Sequence, residues 1–299
     1  MAEKSNGHDI PRLEKLERLD LDSNVISLSP NLFSELKQLH SLSLIFNKIS
    51  EIPKDTFADL SNLMWLYLGH NDIESVNKDS FSGLSSSLTF LWLNDNKITS
   101  IETGAFSQMP ELTRLHLENN KLTSIQPGVL RGLHKLDGLF VEENELNSVS
   151  KNDFKGLIGL RILNLHHNQI ASIESGAFSD LSQLEQLDLR KNQLTRVDYG
   201  VFNGLSNLKR LDLSDNKIAV VQSGISGNLC RSLFFLALSA CNKRVRHARV
   251  KCCVLNAHAV QREMSARNSV AILLAEMHAT LFKQLPFPAN FEISSVFQK

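Results

Sequence analysis

One leucine pattern recurs nine times between Leu16 and Asn216. A representative copy, Leu88–Glu111, reads LTFLWLNDNKITSIETGAFSQMPE and follows the spacing L-x-x-L-x-L-x-x-N-x-I-x-x-I. The copies, 23 to 25 residues long, open at Leu16, Leu39, Leu63, Leu88, Leu112, Leu136, Leu160, Leu184 and Leu208. Asn occupies the ninth position of every copy, at Asn24, Asn47, Asn71, Asn96, Asn120, Asn144, Asn168, Asn192 and Asn216. A register that holds over nine copies predicts a stack of repeats that share one core.

Each column of the pattern has a physical reason. The last two leucines stand two residues apart, so both point to one face of a strand while their neighbours point to the other. The Asn column lies where the chain leaves the strand, and its amide is expected to satisfy backbone groups of the turn and of the next repeat. A later Phe column is expected to fill the wider opposite side, with Phe33 slipped by one position and Leu130 substituting in the fifth copy. Its other members are Phe57, Phe81, Phe106, Phe154, Phe178 and Phe202.

This period with its late Phe resembles the typical leucine-rich repeats of extracellular proteins such as Toll-like receptors, Slit-type guidance proteins and small matrix proteoglycans. The resemblance covers residues 13–242. It implies an α/β-type solenoid, a leucine-rich repeat horseshoe with a concave parallel β-sheet of about ten strands and an irregular or 3₁₀ convex side. It also implies a non-enzymatic module that binds a protein ligand on its concave sheet, in a receptor, adhesion or signalling context.

Three segments are expected along the chain. Residues 1–12 form a polar N-terminal segment, and residues 13–242 form the solenoid, whose tenth strand reads LFFLALSAC over residues 233–241 with Cys replacing Asn. Residues 243–299 are a basic, non-repeat tail or an atypical helical cap. From Cys230 onward, 10 Lys and Arg stand against 3 Asp and Glu, whereas residues 1–229 hold 22 and 29. The basic cluster at 243–251 is expected to be a solvated segment, with nucleic acid or an anionic membrane as the alternative partner.

The sequence leaves the compartment open. The repeat type resembles extracellular proteins, yet the first ten residues contain no apolar signal region, and neither an N-terminal cysteine cap nor a glycosylation sequon is present. C-terminal caps of the family that the chain resembles use four cysteines in two disulfides, but their Asn-Pro-Trp-x-Cys-x-Cys opening is missing here. Free thiols are therefore expected, with a disulfide-bonded cap as the alternative. The four cysteines concerned are Cys230, Cys241, Cys252 and Cys253. No apolar run approaches the ~18 residues that a membrane helix needs.

Enzymatic chemistry has little support in the sequence. There is no phosphate-binding loop, nucleophile elbow or H-E-x-x-H motif, so no catalytic residue and no cofactor are predicted. The nearest candidate for a metal site is the column Glu118, Glu142 and His166, flanked by His116 and His167. Zinc sites need convergent ligands that a flat ladder of strands rarely provides. A metal-dependent or catalytic solenoid is therefore an alternative to protein recognition, as is a gene fragment without independent function.

Aromatic residues concentrate on the outward positions of repeats three and four. Both tryptophans of the chain and one of its two tyrosines fall there, and Trp65 is expected beside Phe90 and Tyr67 beside Trp92. Aromatic residues also stiffen sheets, which is the alternative explanation. An exposed apolar patch with an acidic rim favours a protein ligand that presents Lys or Arg. The candidate protein-binding residues are Trp65, Tyr67, Phe90, Trp92, Asp95, His116, Glu118, Phe140 and Glu142.

Overall fold

The computed structural model describes residues 13–84 and 87–221. In this part of the chain, nine strands of three residues form one parallel sheet whose order follows the chain. They are Arg18–Asp20, Ser41–Ser43, Trp65–Tyr67, Phe90–Trp92, Arg114–His116, Gly138–Phe140, Ile162–Asn164, Gln186–Asp188 and Arg210–Asp212. The solenoid prediction is confirmed for these nine repeats. The expected N-terminal segment, tenth strand, four cysteines and C-terminal tail lie outside the described residues.

Strand pairing joins equivalent positions of successive repeats, as a continuous leucine ladder requires. Between repeats three and four, Trp65 pairs with Phe90, Leu66 with Leu91 and Tyr67 with Trp92. The central leucine of each strand points into the core and its two neighbours point to the opposite face. From repeat two to repeat nine, the leucines at the first and fourth positions are all buried. No single repeat could bury these columns alone, so stacking provides the main stabilisation.

The ninth-position asparagines, here called the Asn ladder, connect each repeat to the preceding one and not to the next one, which the sequence had suggested. Asn120 shows the arrangement: its Oδ1 accepts a hydrogen bond from the Ile98 N–H (2.9 Å), and its Nδ2 donates to the Leu93 carbonyl (2.9 Å). The same Nδ2 also reaches the carbonyls of Leu117 and Glu118 in its own repeat. The sequence identified the role of the amide correctly but gave the wrong direction for the contact. The reason is that the turn carries the side chain back over the preceding strand.

The residue before each ladder Asn adopts a left-handed backbone conformation. In the described repeats φ at this eighth position lies between 53° and 59°, although no glycine occupies it. The residues are Ser23, Phe46, His70, Asp95, Asn119, Glu143, His167, Lys191 and Asp215. Such a conformation costs a non-glycine residue on the order of 1 kcal/mol, so the inter-repeat hydrogen bonds must outweigh it in every turn. The Asp95 N–H, for example, donates to the Glu118 carbonyl at 2.9 Å.

A stack of phenylalanine rings fills the side of the core opposite the large sheet. Consecutive ring centroids lie 6.0–6.4 Å apart, and the slipped Phe33 still stacks on Phe57 at 6.2 Å. Leu130 interrupts the stack between Phe106 and Phe154. The return segments (the part of each repeat after the ladder Asn) consist of turns with 3₁₀-type hydrogen bonds, such as Leu112 N–H to the Met109 carbonyl.

A second set of short strands in the return segments is discontinuous. Three two-stranded parallel sheets pair Ser75–Val76 with Ser100–Ile101, Ser148–Val149 with Ser172–Ile173, and Arg196–Val197 with Val220–Val221. Small clefts of about 110 and about 90 Å³ lie at the two interruptions, beside Ile125 and Ile173. Both isoleucines are only partly buried. Within residues 13–84 and 87–221 there is no helix that is long and apolar enough to span a membrane.

Replacing a ladder Asn in the middle of the stack should destabilise the whole solenoid. Asn120→Ala leaves the Ile98 N–H buried without a partner and removes one of the two amides that donate to the Leu93 carbonyl, so we expect the free energy of unfolding to fall by about 1–3 kcal/mol. Asn24→Ala is the matched control, because Asn24 is exposed and bonds only to carbonyls of its own repeat. Urea denaturation measures both. Equal losses in the two variants would contradict the inter-repeat role of the ladder.

Completing the phenylalanine stack should stabilise the fifth repeat. Leu130→Phe places a ring between Phe106 and Phe154, next to the cleft of about 110 Å³, and cavity filling of this kind typically adds ~1 kcal/mol. Phe106→Leu, which breaks the stack at its neighbour, should lower stability by on the order of 1 kcal/mol. The melting temperatures of the two variants are compared by thermal unfolding monitored by circular dichroism. A lower melting temperature for Leu130→Phe would show that the cleft cannot accept the ring.

Candidate functional site

Six rings form one connected cluster on the outward face of the large sheet, in repeats three to six. This aromatic cluster consists of Trp65, Tyr67, Phe90, Trp92, His116 and Phe140. Its longest row runs across four strands: Tyr67 stacks on Trp92 at 4.2 Å, Trp92 on His116 at 5.3 Å and His116 on Phe140 at 4.4 Å. The rings within each pair lie within 15° of parallel. Strand register and stacking together hold these rings in one orientation.

The remaining two rings join this row through the neighbouring column. Phe90 lies 5.6 Å from Trp92, and Trp65 lies 6.5 Å from Phe90 with a tilt of 30°. The predicted neighbours, Trp65 beside Phe90 and Tyr67 beside Trp92, are observed. All six rings are half-buried, because each covers part of the next, so the apolar patch is partly exposed.

The polar groups of three rings have no hydrogen-bond partner among the described residues. They are the Tyr67 hydroxyl and the indole N–H groups of Trp65 and Trp92. Because the rings stack face to face, the cluster presents ring edges to a ligand, and ring edges carry partial positive charge. The surface therefore combines apolar contact area with polar groups that can orient a ligand.

The three predicted acidic residues have different surroundings. Glu118 Oε1 lies 2.9 Å from His116 Nδ1, which ties this carboxylate to the aromatic cluster. Asp95 is engaged on both oxygens by the amides of Asn94 and Asn119. Glu142, by contrast, has a buried Oε2 without a hydrogen-bond partner among the described residues. Glu118 and Glu142 thus each have an Oε2 atom that accepts no hydrogen bond, whereas both oxygens of Asp95 are bound by neighbouring side chains.

The carboxyl group of Glu142 titrates near neutral pH. Burial raises its pKa from the ordinary value of 4.5 to about 7, and the charges of Glu118, Asp188 and Glu143 add to the rise. A hydrogen bond with the backbone of Glu142 itself opposes it. The net charge of this part of the sheet therefore changes around pH 7.

A charged ladder that the sequence reasoning missed runs beside the cluster. Arg114 Nη2 lies 2.7 Å from Asp137 Oδ2, and Asp137 also approaches Arg161 Nη1 at 3.7 Å. Arg161 and Lys209 then bind Glu185 at 2.9 and 2.7 Å. Hydrogen bonds from Lys209 and Arg161 lower the pKa of Glu185. The alternation of basic and acidic residues at the second and third positions of successive repeats was the available signal.

The Arg114 side chain lies directly over Gly138. A Cβ at position 138 would collide with Nη1 of Arg114 and would lie 2.9 Å from its Cδ, so the missing side chain leaves room for the guanidinium. Gly138 is consequently buried although it points outward from the sheet. A glycine within a strand that has no turn to make is the sequence signal for such a close approach.

A second missed feature lies on the left-handed turns at the edge of the sheet. Phe46 is 55% exposed and stacks on His70 at 4.4 Å, and His70 Nε2 lies 3.4 Å from Asp95 Oδ2. A bulky aromatic residue with φ of 59° is uncommon. Sequence spacing alone did not reveal that this position adopts a left-handed conformation.

The part of the chain that the structure describes contains no group of side chains arranged to bind a metal ion. No group of three or more His, Cys, Asp or Glu side chains there converges on a point where a metal ion could bind. The column of Glu118, Glu142 and His166 places its side chains one repeat apart along the ladder, so they do not surround a common centre.

Sequence comparison gives the family of this array. The family model described as leucine rich repeat matches residues 37–91, 86–146, 139–194 and 183–242, which together span more than half of the chain. The chain belongs to the leucine-rich repeat family. None of the curated protein sequences compared with the chain matches it.

Solved leucine-rich repeat structures resemble the chain. One is found in the octameric complex of latrophilin 3, Unc5D and the leucine-rich repeat domain of FLRT2, with 27% identity, a TM-score of 0.59 and coverage of 72% of this chain and 73% of that one. Another is a leucine-rich repeat protein of Leptospira interrogans, with 28% identity, a TM-score of 0.61 and coverage of 74% and 54%. The Toll–Spätzle complex of Drosophila gives 23% identity, a TM-score of 0.56 and coverage of 69% and 30%, which shows the fold alone. The chain thus spans about half of the Leptospira protein and under a third of the Toll chain.

Removing the ionisable group of Glu142 should stabilise the leucine-rich repeat solenoid at alkaline pH. Because the folded state raises this pKa above 4.5, folding favours the protonated form, and stability is lost as pH rises from about 4.5 through about 7. We expect Glu142→Gln to raise the melting temperature at about pH 8 and to change it little at about pH 4.5. Glu145→Gln is the control, since Glu145 is exposed and is not among the charges that act on Glu142. A melting temperature of Glu142→Gln that is unchanged at alkaline pH would contradict the expectation.

Proposed function

We propose that the chain is a non-enzymatic protein-recognition module in a receptor, adhesion or signalling context, which binds a protein ligand on the outward face of its large sheet. The observation that carries this proposal is the aromatic cluster. Its six rings are contiguous, half-buried and held in position by the parallel register. Trp and Tyr are the residues that most often anchor protein interfaces, and preorganised rings lose little conformational entropy on binding.

The distribution of the rings favours recognition over simple stiffening of the sheet. Cross-strand aromatic pairs do stabilise sheets, but such pairs would serve any part of this solenoid equally. The third and fifth positions of repeats eight and nine instead carry Gln186, Asp188, Arg210 and Asp212. The cluster is thus confined to repeats three to six, where it forms a surface of limited size with a charged border.

The comparisons support the same class of function. The leucine-rich repeat domain of FLRT2 occurs in an assembly with latrophilin 3 and Unc5D. The proposed docking site on repeats three to six, with the aromatic cluster at its centre and Asp95, Glu118 and Glu142 at its border, rests on the geometry of this chain. A metal-dependent or catalytic function has no comparable geometric support in the described residues.

The proposal predicts that truncating Trp92 abolishes most of the binding affinity. A binding fragment is first selected from a phage-displayed library of natural protein fragments, and its dissociation constant is measured by biolayer interferometry. Trp92 touches Tyr67, Phe90 and His116 at the centre of the cluster, so Trp92→Ala should weaken binding by tens-fold, which corresponds to ~2 kcal/mol.

Two controls make this experiment decisive. Tyr199→Ala removes an aromatic side chain that is 64% exposed in the return segment of repeat eight, and it should leave affinity unchanged. Circular dichroism verifies that each variant remains folded. Unchanged affinity of the folded Trp65→Ala/Trp92→Ala double variant would reject the aromatic cluster as the binding site.

A further inference from the structure

Four buried side-chain atoms in the described residues lack a hydrogen-bond partner, and all four lie in repeats five to seven. They are Arg114 Nη1, Glu118 Oε2, Glu142 Oε2 and His166 Nδ1. Each belongs to the third or seventh position of its repeat, so all four residues belong to the outward side of the large sheet. Buried polar groups are nearly always hydrogen-bonded, and an exception calls for an explanation such as a ligand. All four lie in three adjacent repeats, on the side that carries the aromatic cluster. This grouping indicates a surface whose polar atoms are completed by a bound ligand.

Glu118 and Glu142 are neighbours in this surface. Both occupy the seventh position of their repeats, and the two turns are joined by a 3.0 Å hydrogen bond from the Asn119 N–H to the Glu142 carbonyl. Adjacent strands lie ~4.8 Å apart, which brings the two carboxyl groups within range of one bridging cation. One oxygen of Glu118 is already bound to His116, so the second oxygen is the free acceptor of that residue.

The charges that surround Glu142 leave it without a cationic partner. Glu118, Glu143 and Asp188 are the acidic groups that act on it. Arg190, which acts on the neighbouring His166, is itself bound to Asp188 through Nε at 3.1 Å.

The histidines beside Glu142 do not supply the missing charge. Burial lowers the pKa of His166, which disfavours its charged form. His167 is exposed and lies 3.9 Å from Glu143. The complementary charge must therefore come from the bound molecule.

We propose that the protein ligand places one Lys or Arg side chain on Glu118 and Glu142, with the aliphatic part of that side chain against the aromatic cluster. This inference rests on the proposed function and specifies the chemistry of the partner. Both unpaired oxygens are buried in the free protein, but the two side chains are only partly buried, so each carboxylate has to rotate as the ligand docks. An ammonium or guanidinium group then supplies the donors that these oxygens lack, and long basic side chains pack their methylene groups on apolar surfaces. The surface is acidic at this point and apolar beside it, which is the combination that such a side chain matches.

Binding of this cation is coupled to release of a proton. In the free protein Glu142 is substantially protonated at neutral pH, because burial raises its pKa to about 7. A cation beside the carboxylate favours the ionised form and lowers that pKa. Affinity for the basic side chain should therefore increase as pH rises through about 7, whereas an uncharged side chain should show no such increase.

The test uses the full chain and two peptides of equal shape. The probes are acetyl-Gly-Arg-Gly-amide and its citrulline counterpart, in which a neutral urea replaces the guanidinium. Nuclear magnetic resonance of the Glu142 carboxyl carbon measures both the binding and the pKa of Glu142. We expect the arginine peptide to bind about tenfold tighter than the citrulline peptide at about pH 8, with the preference falling below about twofold at about pH 5.5.

Substitutions in the site give the second arm of the test. Glu118→Gln/Glu142→Gln keeps the shape of both side chains and should remove the preference for the arginine peptide. Glu145→Gln removes an exposed acid of the same repeat that is not among the charges acting on Glu142, and it should retain the preference. Equal binding of the two peptides at alkaline pH, including no detectable binding of either, would overturn the inference, as would a preference that survives in the double variant.

The outcome separates this inference from the proposed function. If Trp92→Ala weakens binding of the selected protein fragment while the arginine and citrulline peptides bind equally, only the basic anchor is refuted. If the arginine preference is observed while the Trp65→Ala/Trp92→Ala double variant retains its affinity for the fragment, the acidic pair binds a cation but the aromatic cluster is not the protein interface.

Discussion

The hydrogen bonds of the Asn ladder are the interaction on which the rest of this solenoid depends. Each interior amide joins one turn to the repeat before it, as Asn120 does through Ile98 and Leu93. The turn itself is strained, because a non-glycine residue with positive φ precedes every ladder Asn. Hydrogen bonds between repeats stabilise a local conformation that no isolated repeat would adopt. The leucine columns supply most of the hydrophobic burial, but the ladder sets the spacing at which those columns meet.

Because the framework is fixed in this way, the residues on the outward face of the sheet can vary without loss of the fold. The leucines, the ladder Asn and the phenylalanine stack use the first, fourth, sixth and ninth positions and the return segment of each repeat. The third, fifth and seventh positions contribute little to that framework, so their side chains can be chosen for recognition. In repeats three to seven they hold a ring cluster and four buried polar atoms without partners, and the unpaired polar atoms are costly for stability. Such local costs are typical of functional surfaces.

The sequence predicts the features that follow from residue spacing, but not those that depend on side-chain conformation and burial. The strands, the leucine core and the Trp65–Phe90 and Tyr67–Trp92 neighbours follow from a period of two within strands and a fixed repeat length. The extent to which the rings cover one another does not follow from the repeat pattern. The Arg114 guanidinium over Gly138 depends on the conformation of a long side chain, which no repeat pattern specifies. Likewise the raised pKa of Glu142 depends on burial and on charges contributed by three repeats.

Intrinsic tryptophan fluorescence tests the central claim most directly, that the aromatic face is the binding surface. The chain contains only two tryptophans, Trp65 and Trp92, and both lie in the aromatic cluster, so their emission reports on this surface without a label. Addition of a protein fragment whose binding has been established by interferometry should shift the emission to shorter wavelength and protect it from iodide quenching, because docking removes water from both indoles. Saturating binding that leaves emission and quenching unchanged would contradict the account.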